Sequence, residues 1–465
     1  VSQQAVTANS GTTAIDLSNG NLIYMTQSAD TTVSFANTAN GNVYIIREKD
    51  ASDTARTITW PSRLKWDGGS APTLITANDT GEAQVFLLVT RDMGVTWYGT
   101  EIYNNPGGGT LWSWGQGVYG SLGVNDRTTR SSPVQVGSAS GWKGADLWNR
   151  ASGTIKTDGT LWVWGNNDNG MLGLNDTNRR SSPVQLSGTT WSWISYAYNY
   201  TCASTKTDGT LWACGYNEFG SLGQNATTRL SSPTQVGTDT TWATGVGKIT
   251  AGRTIGAIKT DGTLWSWGYN DYGTMGLNNR TNRSSPTQVP GTTWSKISTG
   301  GEGVHYAAIK TDGTLWMWGN NNAGQCGNNT SGDTTVARYS SPTQVGTDTT
   351  WSEVRPGNNT SAIKTDGTLW CWGSGGSGQL GRNSVTYASS PIQIPGTTWS
   401  KTAQSKYSTF ATKTDGSLWS WGANYEGVLG QNNTTSYSSP MQIPGTSWSD
   451  VIGNGHDGGN IGAIQ

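Results

Sequence analysis

The sequence predicts an all-β chain: a seven-bladed β-propeller over residues 106–465, preceded by a small β-sandwich or jelly-roll-like domain over residues 1–105. Three observations predict it. One unit is written seven times at intervals of 49 to 54 residues. Each unit carries the signals of four short strands. The two ends of the repeat region supply complementary halves of a single unit.

Repeats at this spacing signal stacked or radial architectures. The motif Gly-Thr/Ser-Leu-Trp starts at Gly109, Gly159, Gly209, Gly262, Gly313, Gly367 and Gly416. Each copy then runs through a glycine-spaced segment (Gly120–Gly123 in the first), a Ser-Ser-Pro ending at Pro133, and a lone Trp at Trp142. In the fourth copy the strands read as Pro286–Val289, Trp294–Ser298, Tyr306–Thr311 and Thr314–Trp318. The pair Asp312-Gly313 suits a two-residue type I′ turn. Trp316 and Trp318 fall on one face of their strand, Leu315 and Met317 on the other. A strand apolar on both faces must lie between neighbouring sheets, which radial four-stranded sheets provide. A linear solenoid would need polar capping repeats instead. The ends argue against it: the first copy starts abruptly at Gly107-Gly108-Gly109, and Ile461–Gln465 repeats the missing strand, matching Ile255–Lys259. Those halves close a ring and hide both edges.

Composition agrees. The 465 residues include 65 Gly and 25 Trp but only 13% charged residues. Of the 22 Trp beyond residue 105, 20 occupy two recurring places, the paired strand positions and the lone Trp. This excludes disorder, collagen and coiled coil. The longest apolar run, Val85–Val89, is too short to span a membrane. A pI of about 6.2 leaves no nucleic-acid footprint. The chain opens at Val1 without an initiating Met, and a processed or truncated start is expected.

The stretch Ala362–Gly381, Ala-Ile-Lys-Thr-Asp-Gly-Thr-Leu-Trp-Cys-Trp-Gly…Gly-Gln-Leu-Gly, resembles the regulator of chromosome condensation repeat. That resemblance covers residues 109–465 and implies a seven-bladed propeller. The family often carries a His before the Ala strand; here only His305 and His456 lie near that place.

Residues 1–105 lack the repeat and hold six basic against ten acidic residues. Leu22–Met25, Val43–Ile46, Thr57–Trp60, Gln84–Val89 and Thr96–Tyr98 read as strands. Arg56–Pro61, Lys65–Gly69, Ala71–Thr73 and Thr96–Gly99 resemble a module of bacteriophage tail-fibre and other virion structural proteins. The resemblance implies attachment to other virion proteins, or oligomerisation, through residues 1–105.

A search for chemistry returns little. Gly115–Gly120 fits G-x-G-x-x-G, but of the equivalent segments in the other copies only Gly373–Gly378 shares the middle Gly, and no helix follows. Two His leave little for metal or general-base work, and both read as turn-holding residues. No Ser has Gly at −2 and +2, so no nucleophile elbow is present. No catalytic residue, metal site or cofactor is expected. Cys214, Cys326 and Cys371 read as small buried hydrophobes; Cys202 and Cys214 flank one hairpin and can lie across from each other, which leaves a disulfide there open as the minority reading.

Two sets of charges recur. Lys156, Lys206, Lys259, Lys310, Lys364 and Lys413 each stand two residues before an Asp, at the hairpin turns of one propeller end. Neutralisation of each Lys by its turn Asp is the expectation, with an anion-binding rim as the alternative. The long connections towards Ser-Ser-Pro carry Arg127, Arg130, Arg179, Arg180, Arg229, Arg280, Arg283, Arg338 and Arg382, with Tyr339, Tyr387 and Tyr437. Loops over a rigid scaffold carry binding residues, and Arg and Tyr favour contact hot spots. They are the candidate ligand- or partner-binding residues; the competing reading is that they satisfy loop carbonyls or Asp126, Asp176 and Asp333.

The expectation is a non-enzymatic bacteriophage virion protein. Residues 1–105 would join other virion proteins and the propeller would meet a host-surface glycan or protein, without nucleic acid or membrane insertion; homo-oligomerisation is compatible with this. The alternatives are a capsid or tail decoration protein, a GTPase exchange factor or chromatin binder as in the propeller family, and a glycan-cleaving enzyme.

Overall fold

The computed structural model describes residues 3–8, 11–19, 22–27, 29–37, 41–49, 58–62, 64–66, 83–90, 97–104, 109–148, 150–197, 200–300, 303–331, 338–453 and 459–465. The chain divides into two units, Val1–Gly108 and Gly109–Gln465.

The first unit contains β1 (Gln3–Ala8), β2 (Gly11–Asp16), β3 (Leu22–Gln27), β4 (Thr31–Ala36), β5 (Gly41–Lys49), β6 (Ile58–Thr59), β7 (Leu64–Trp66), β8 (Ala83–Thr90) and β9 (Trp97–Asn104). They form two sheets, β1-β3-β5-β8-β9-β7 and β2-β4-β6. Alternate residues of β2 to β5 share one core, including Ile15, Ile23, Met25, Val33, Val43 and Ile45. Two facing sheets suit a sandwich, but the connectivity is not that of a jelly roll. Successive strands alternate between the sheets, so β1, β3 and β5 pair in parallel, as do β2, β4 and β6. A jelly roll pairs its strands antiparallel. Among the described residues of this unit, only β5 with β8, and β8 with β9, are antiparallel. Short links that cross between layers bring the chain back in the same direction on each pass. Residues 56–57, 67–73 and 96, which carry part of the virion-module resemblance, lie outside the described residues.

The second unit is a ring of seven four-stranded sheets. Blade 1 joins Leu111–Gly115 and Arg130–Gln135 to Asn460–Ile464 and Asp450–Ile452, so the chain ends complete one sheet. Blades 2 to 7 start at Trp142, Trp191, Ile249, Trp294, Trp351 and Trp399. Blade 5 shows the pattern: Trp294–Thr299, His305–Lys310, Leu315–Asn320 and Arg338–Gln344, consecutive and antiparallel. First strands of adjacent blades contact one another and are innermost; the Ser-Ser-Pro strand is outermost. The sequence unit therefore straddles two blades. Arg283–Val289 closes blade 4, and the next three strands open blade 5.

The hairpin turn also differs from expectation. Gly159 has φ 77° while Asp158 is absent from the non-glycine positive-φ residues, so the turn is not type I′. Instead Gly159 N–H donates to Lys156 C=O at 2.9 Å and Lys156 N–H to Thr160 C=O at 2.9 Å. This is a type I turn followed by a left-handed glycine. The Asp side chain explains the choice: Asp158 Oδ1 accepts from Thr160 N–H (2.9 Å) and Thr160 Oγ1–H (2.6 Å), and Thr160 Oγ1 accepts from Trp162 Nε1–H (2.9 Å). The same relay recurs in blades 3 to 7.

Blades are joined by two devices. The second Trp of each pair is buried and donates to a loop carbonyl of the preceding blade: Trp164 to Ser121 (2.8 Å), Trp318 to Thr274 (2.7 Å), Trp372 to Gln325 (2.7 Å) and, across the closure, Trp114 to Val428 (2.7 Å). Then Asn125, Asn175, Asn225, Asn278, Asn329, Asn383 and Asn432, all at positive φ, donate their N–H to a Ser carbonyl on the next blade's outer strand at 2.7–2.8 Å. The glycine-spaced segment permits this approach. A Cβ on Gly120 would stand 2.7 Å from Ser181 Cα, and its φ is 76°.

Burying each indole contributes about 4–6 kcal/mol by area as an upper estimate, and its hydrogen bond roughly 1 kcal/mol net. Burial supplies the energy; the hydrogen bond sets the register. Trp318→Phe keeps the aromatic burial and deletes the donor, and is expected to cost roughly 1–3 kcal/mol in urea denaturation. Trp318→Ala is expected to cost about 3–5 kcal/mol. Equal losses in the two variants would show that the hydrogen bond, not burial, carries the joint.

Candidate functional site

In an antiparallel meander, the loops after the first and third strands leave at one end of the ring. The Asp-Gly turns and blade-to-blade connections leave at the other.

At the turn end, the six lysines do not pair with the turn Asp, which is occupied by the Thr relay. Each ammonium instead lies 4.1–5.1 Å from the ring centroids of two Trp, the lone Trp and the first of the pair. Lys206, for example, sits 4.8 Å from Trp191 and 4.1 Å from Trp212. Lys364 also reaches Asp348 at 2.9 Å, and Lys259 reaches Asp239, both outside the turn. A half-buried ammonium over two indoles gains up to about 2 kcal/mol, more than an exposed ion pair. The lysines are therefore part of the packing rather than an anion-binding rim.

The innermost strands line a central cavity of about 70 Å³, whose walls include Asp146, Ser195, Thr250, Ser298, Arg355 and Asp450. Buried Asp146 accepts from Ser195 Oγ–H (2.9 Å) and Tyr196 N–H (2.8 Å), and Ser195 Oγ in turn accepts from Ala251 N–H (3.0 Å). Burial pushes the Asp146 carboxyl up to about 6, partly opposed by those hydrogen bonds and by Arg355. Half-buried Asp450 lines the same cavity, and burial pushes it up to about 6 against the pull of Lys401. Glu353 stands 3.8 Å from both Arg355 and Lys401. Sequence reasoning missed this cluster although a signal existed: Asp146, Ser195 and Arg355 each stand four residues after the lone Trp of their copy, and Glu353, Lys401 and Asp450 two residues after it.

The loop end holds the predicted Arg and Tyr residues, and the structure sorts them. Arg130 and Arg180 pair with Asp126 (2.5 Å) and Asp176 (2.6 Å), the competing reading. Arg382 donates to Thr386 C=O at 3.0 Å. Tyr339 shares a hydrogen bond with Thr330 (2.8 Å), and Tyr437 accepts from Asn433 (3.2 Å). Arg127, Arg280 and Tyr387 are exposed and Arg283 half-buried. Three others join an arc of stacked side chains: Arg179 over Tyr119 (5.2 Å), Arg229 over Tyr216 (5.8 Å) and Arg338 over Tyr272 (4.5 Å). Asp333 and His456 lie outside the described residues, and His305 is buried at the start of its strand.

The arc contains members that sequence reasoning missed. Arg150 stacks 5.2 Å from both Tyr119 and Tyr200, bridging blades 1 to 3, and donates to the Tyr200 hydroxyl. Arg253 lies over Tyr269 and Tyr272, and Phe219 packs on Tyr269 at 4.7 Å. Arg179 also grips Asp168 through two hydrogen bonds (2.8 and 2.5 Å), which hold that carboxyl below its usual range. Burial, aided by a hydrogen bond to Asp271, pushes the Tyr269 phenol up to about 12. A signal existed: Tyr119, Phe219 and Tyr272 share one repeat position, where later copies carry Ala323, Ser377 and Glu426. Arg150, Tyr200 and Arg253 share another. The arrangement can bind: guanidiniums held on aromatic faces offer their N–H edges at little ordering cost.

Family models of the regulator of chromosome condensation (RCC1) repeat match residues 158–204, 261–304, 312–363, 366–411 and 415–453, and a second such model matches 294–325. The Arabidopsis thaliana ultraviolet-B receptor UVR8 is 31% identical over 126 residues, which are 27% of this chain and 28% of the receptor. The chain thus aligns with little more than a quarter of that relative. Among solved structures, human WBSCR16 superposes with a TM-score of 0.66 at 18% identity, covering 77% of this chain and 98% of that one. Prp20p from Saccharomyces cerevisiae gives 0.66 at 17% identity, covering 77% and 91%; its structure is described with its binding properties to Gsp1p and histones.

The two cavity carboxyls give a pH prediction. Both bind a proton more tightly in the folded chain (about 6) than an ordinary Asp carboxyl does in the unfolded one. Their contribution to stability is therefore complete below about pH 4 and is lost as pH rises through 6. Asp146→Asn with Asp450→Asn keeps an acceptor for Ser195 and Tyr196 and removes the titration. In melts between pH 4 and 7, the wild type is expected to lose stability relative to the variant as pH rises; a constant difference would overturn the assignment. Lys206→Met, which keeps the stem and removes the charge, is expected to cost about 0.5–2 kcal/mol by urea denaturation.

Proposed function

The chain belongs to the regulator of chromosome condensation repeat family, and from that premise we propose that it is a non-catalytic binding propeller on a bacteriophage virion. Its loop-end arc contacts a host surface bearing anionic groups, while residues 1–105 attach the chain to other virion proteins. The observation that carries the contact role is the arc itself. Arg150, Arg179, Arg229, Arg253 and Arg338 are held on Tyr faces at one end of the ring. Arg179 is held there by two hydrogen bonds to one carboxylate, Asp168. Repetition of the scaffold does not require these residues, since other copies do without them at the same positions. The virion setting is supported by the resemblance of Arg56–Gly99 to virion structural modules.

A fold by itself does not fix a function. The second reading, contact with a small GTPase or histones, is supported by the description of Prp20p, which superposes on the ring at an identity that speaks for the fold alone. On the virion reading, mass spectrometry of purified particles of the encoding phage finds this chain, and the labelled full-length protein binds host cells. Arg150→Ala with Arg338→Ala is expected to weaken that binding about tenfold or more, as truncation of contact arginines typically does. Lys413→Met, at the opposite end, is expected to leave it unchanged. Absence from particles, with acceleration of nucleotide release from a small GTPase, would favour the second reading.

A further inference from the structure

Blade 3 lacks the indole that joins every other blade to its predecessor. At that place its third strand, Leu211–Gly215, carries Cys214. The Sγ of Cys214 lies 3.6 Å from Met171 C=O, the carbonyl that corresponds to the acceptors used by Trp164 and Trp318. The residue directly across the ladder is also a cysteine. Cys202 faces Cys214 in register, between the pairs Thr201 with Gly215 and Ala203 with Ala213. In the other blades the residue opposite the indole is Ser152, Ile255, Tyr306, Thr360, Thr409 or Ile461. Two cysteines therefore coincide at the one joint that has lost its Trp.

Both side chains are buried, and their sulfurs lie 2.7 Å apart. Trp148, Met171 and Tyr196 belong to the same core cluster as the two cysteines. Trp148 stands outside the two recurring Trp positions, so the packing around the pair is particular to this joint. Cys326 and Cys371 are buried too, but each stands alone at its place in the repeat, with Cys371 opposite Ser361.

We propose that Cys202 and Cys214 are a disulfide-forming site, a covalent cross-strand staple that holds blade 3 where the indole joint is missing. The oxidant is a small-molecule or protein disulfide. One thiolate attacks an oxidant sulfur, forming a mixed disulfide and releasing one thiol. The second thiolate then displaces the other oxidant thiol and closes the Cys202–Cys214 bond. The pair loses two protons and two electrons, and the oxidant disulfide becomes two thiols. The contact between the two sulfurs, together with burial, holds the Cys214 thiol in its protonated form once the blade has closed. Exchange is therefore expected during folding rather than on the finished ring.

The test uses the full chain, refolded in a glutathione redox buffer, then denatured without reductant, alkylated and mapped by peptide mass spectrometry. The expected result is a peptide linking Cys202 to Cys214 that is lighter by two hydrogen atoms than the reduced pair, with Cys326 and Cys371 alkylated. Alkylation of all four cysteines, or a link involving Cys326 or Cys371, would overturn the site. A second measurement tests the staple. The melting temperature of the oxidised protein is expected to fall when reductant is added. Cys202→Ser is expected to melt at one temperature with or without reductant. A linked pair whose reduction leaves the wild-type melting temperature unchanged would overturn the structural role.

Discussion

The joint between blades is the constraint on which the ring depends. A four-stranded sheet that is apolar on both faces cannot stand alone, and every blade but blade 3 solves this by placing an indole under the loop of its predecessor. Six of the seven joints use Trp with its N–H on a loop carbonyl. The glycine-spaced loop must then lie flat against the next outer strand, where a left-handed Asn fixes it. Much of the unusual Gly and Trp content follows from repeating this one contact around a closed circle. So does the low charge: aromatic burial supplies the energy that ion pairs would supply only weakly.

The same logic divides repeated residues from those that depart from the repeat. Repeated polar residues serve the scaffold, as the Asp-Thr-Trp relay and the Lys between two indoles show. Departures gather elsewhere. Asp146, Glu353, Arg355 and Asp450 collect near the axis, where the innermost strands converge and each blade contributes at close range. The Tyr and Arg of the arc collect at the loop end, where side chains of adjacent blades meet without disturbing either sheet. Cys202 and Cys214 mark the joint where the scaffold rule itself is broken.

Much of this was legible beforehand. The count of blades, the closing of blade 1 by Ile461–Gln465 and the placing of each Trp pair on one strand face follow from periodicity, because a repeat reports its own number and a strand period of two reports its faces. The candidate arginines were found as a class and only partly as a site. Arg179, Arg229 and Arg338 join the arc, whereas Arg130 and Arg180 turn back to Asp126 and Asp176. From the chain alone these look alike, since each is an Arg next to Ser-Ser-Pro or one residue away.

By itself the sequence determined an all-β ring of seven units and the positions at which those units are held together. Tertiary structure decided the rest. It assigned each Ser-Ser-Pro strand to the preceding sheet, moved the lysines from their neighbouring Asp onto indoles, and brought Arg150 between tyrosines of two other blades. It also paired β1, β3 and β5, and likewise β2, β4 and β6, in parallel rather than as a jelly roll. The reason is physical: local pattern fixes which face of a strand is buried and where the chain turns. Which neighbour a side chain meets depends on residues about one or more repeats away, and only the closed ring sets those distances.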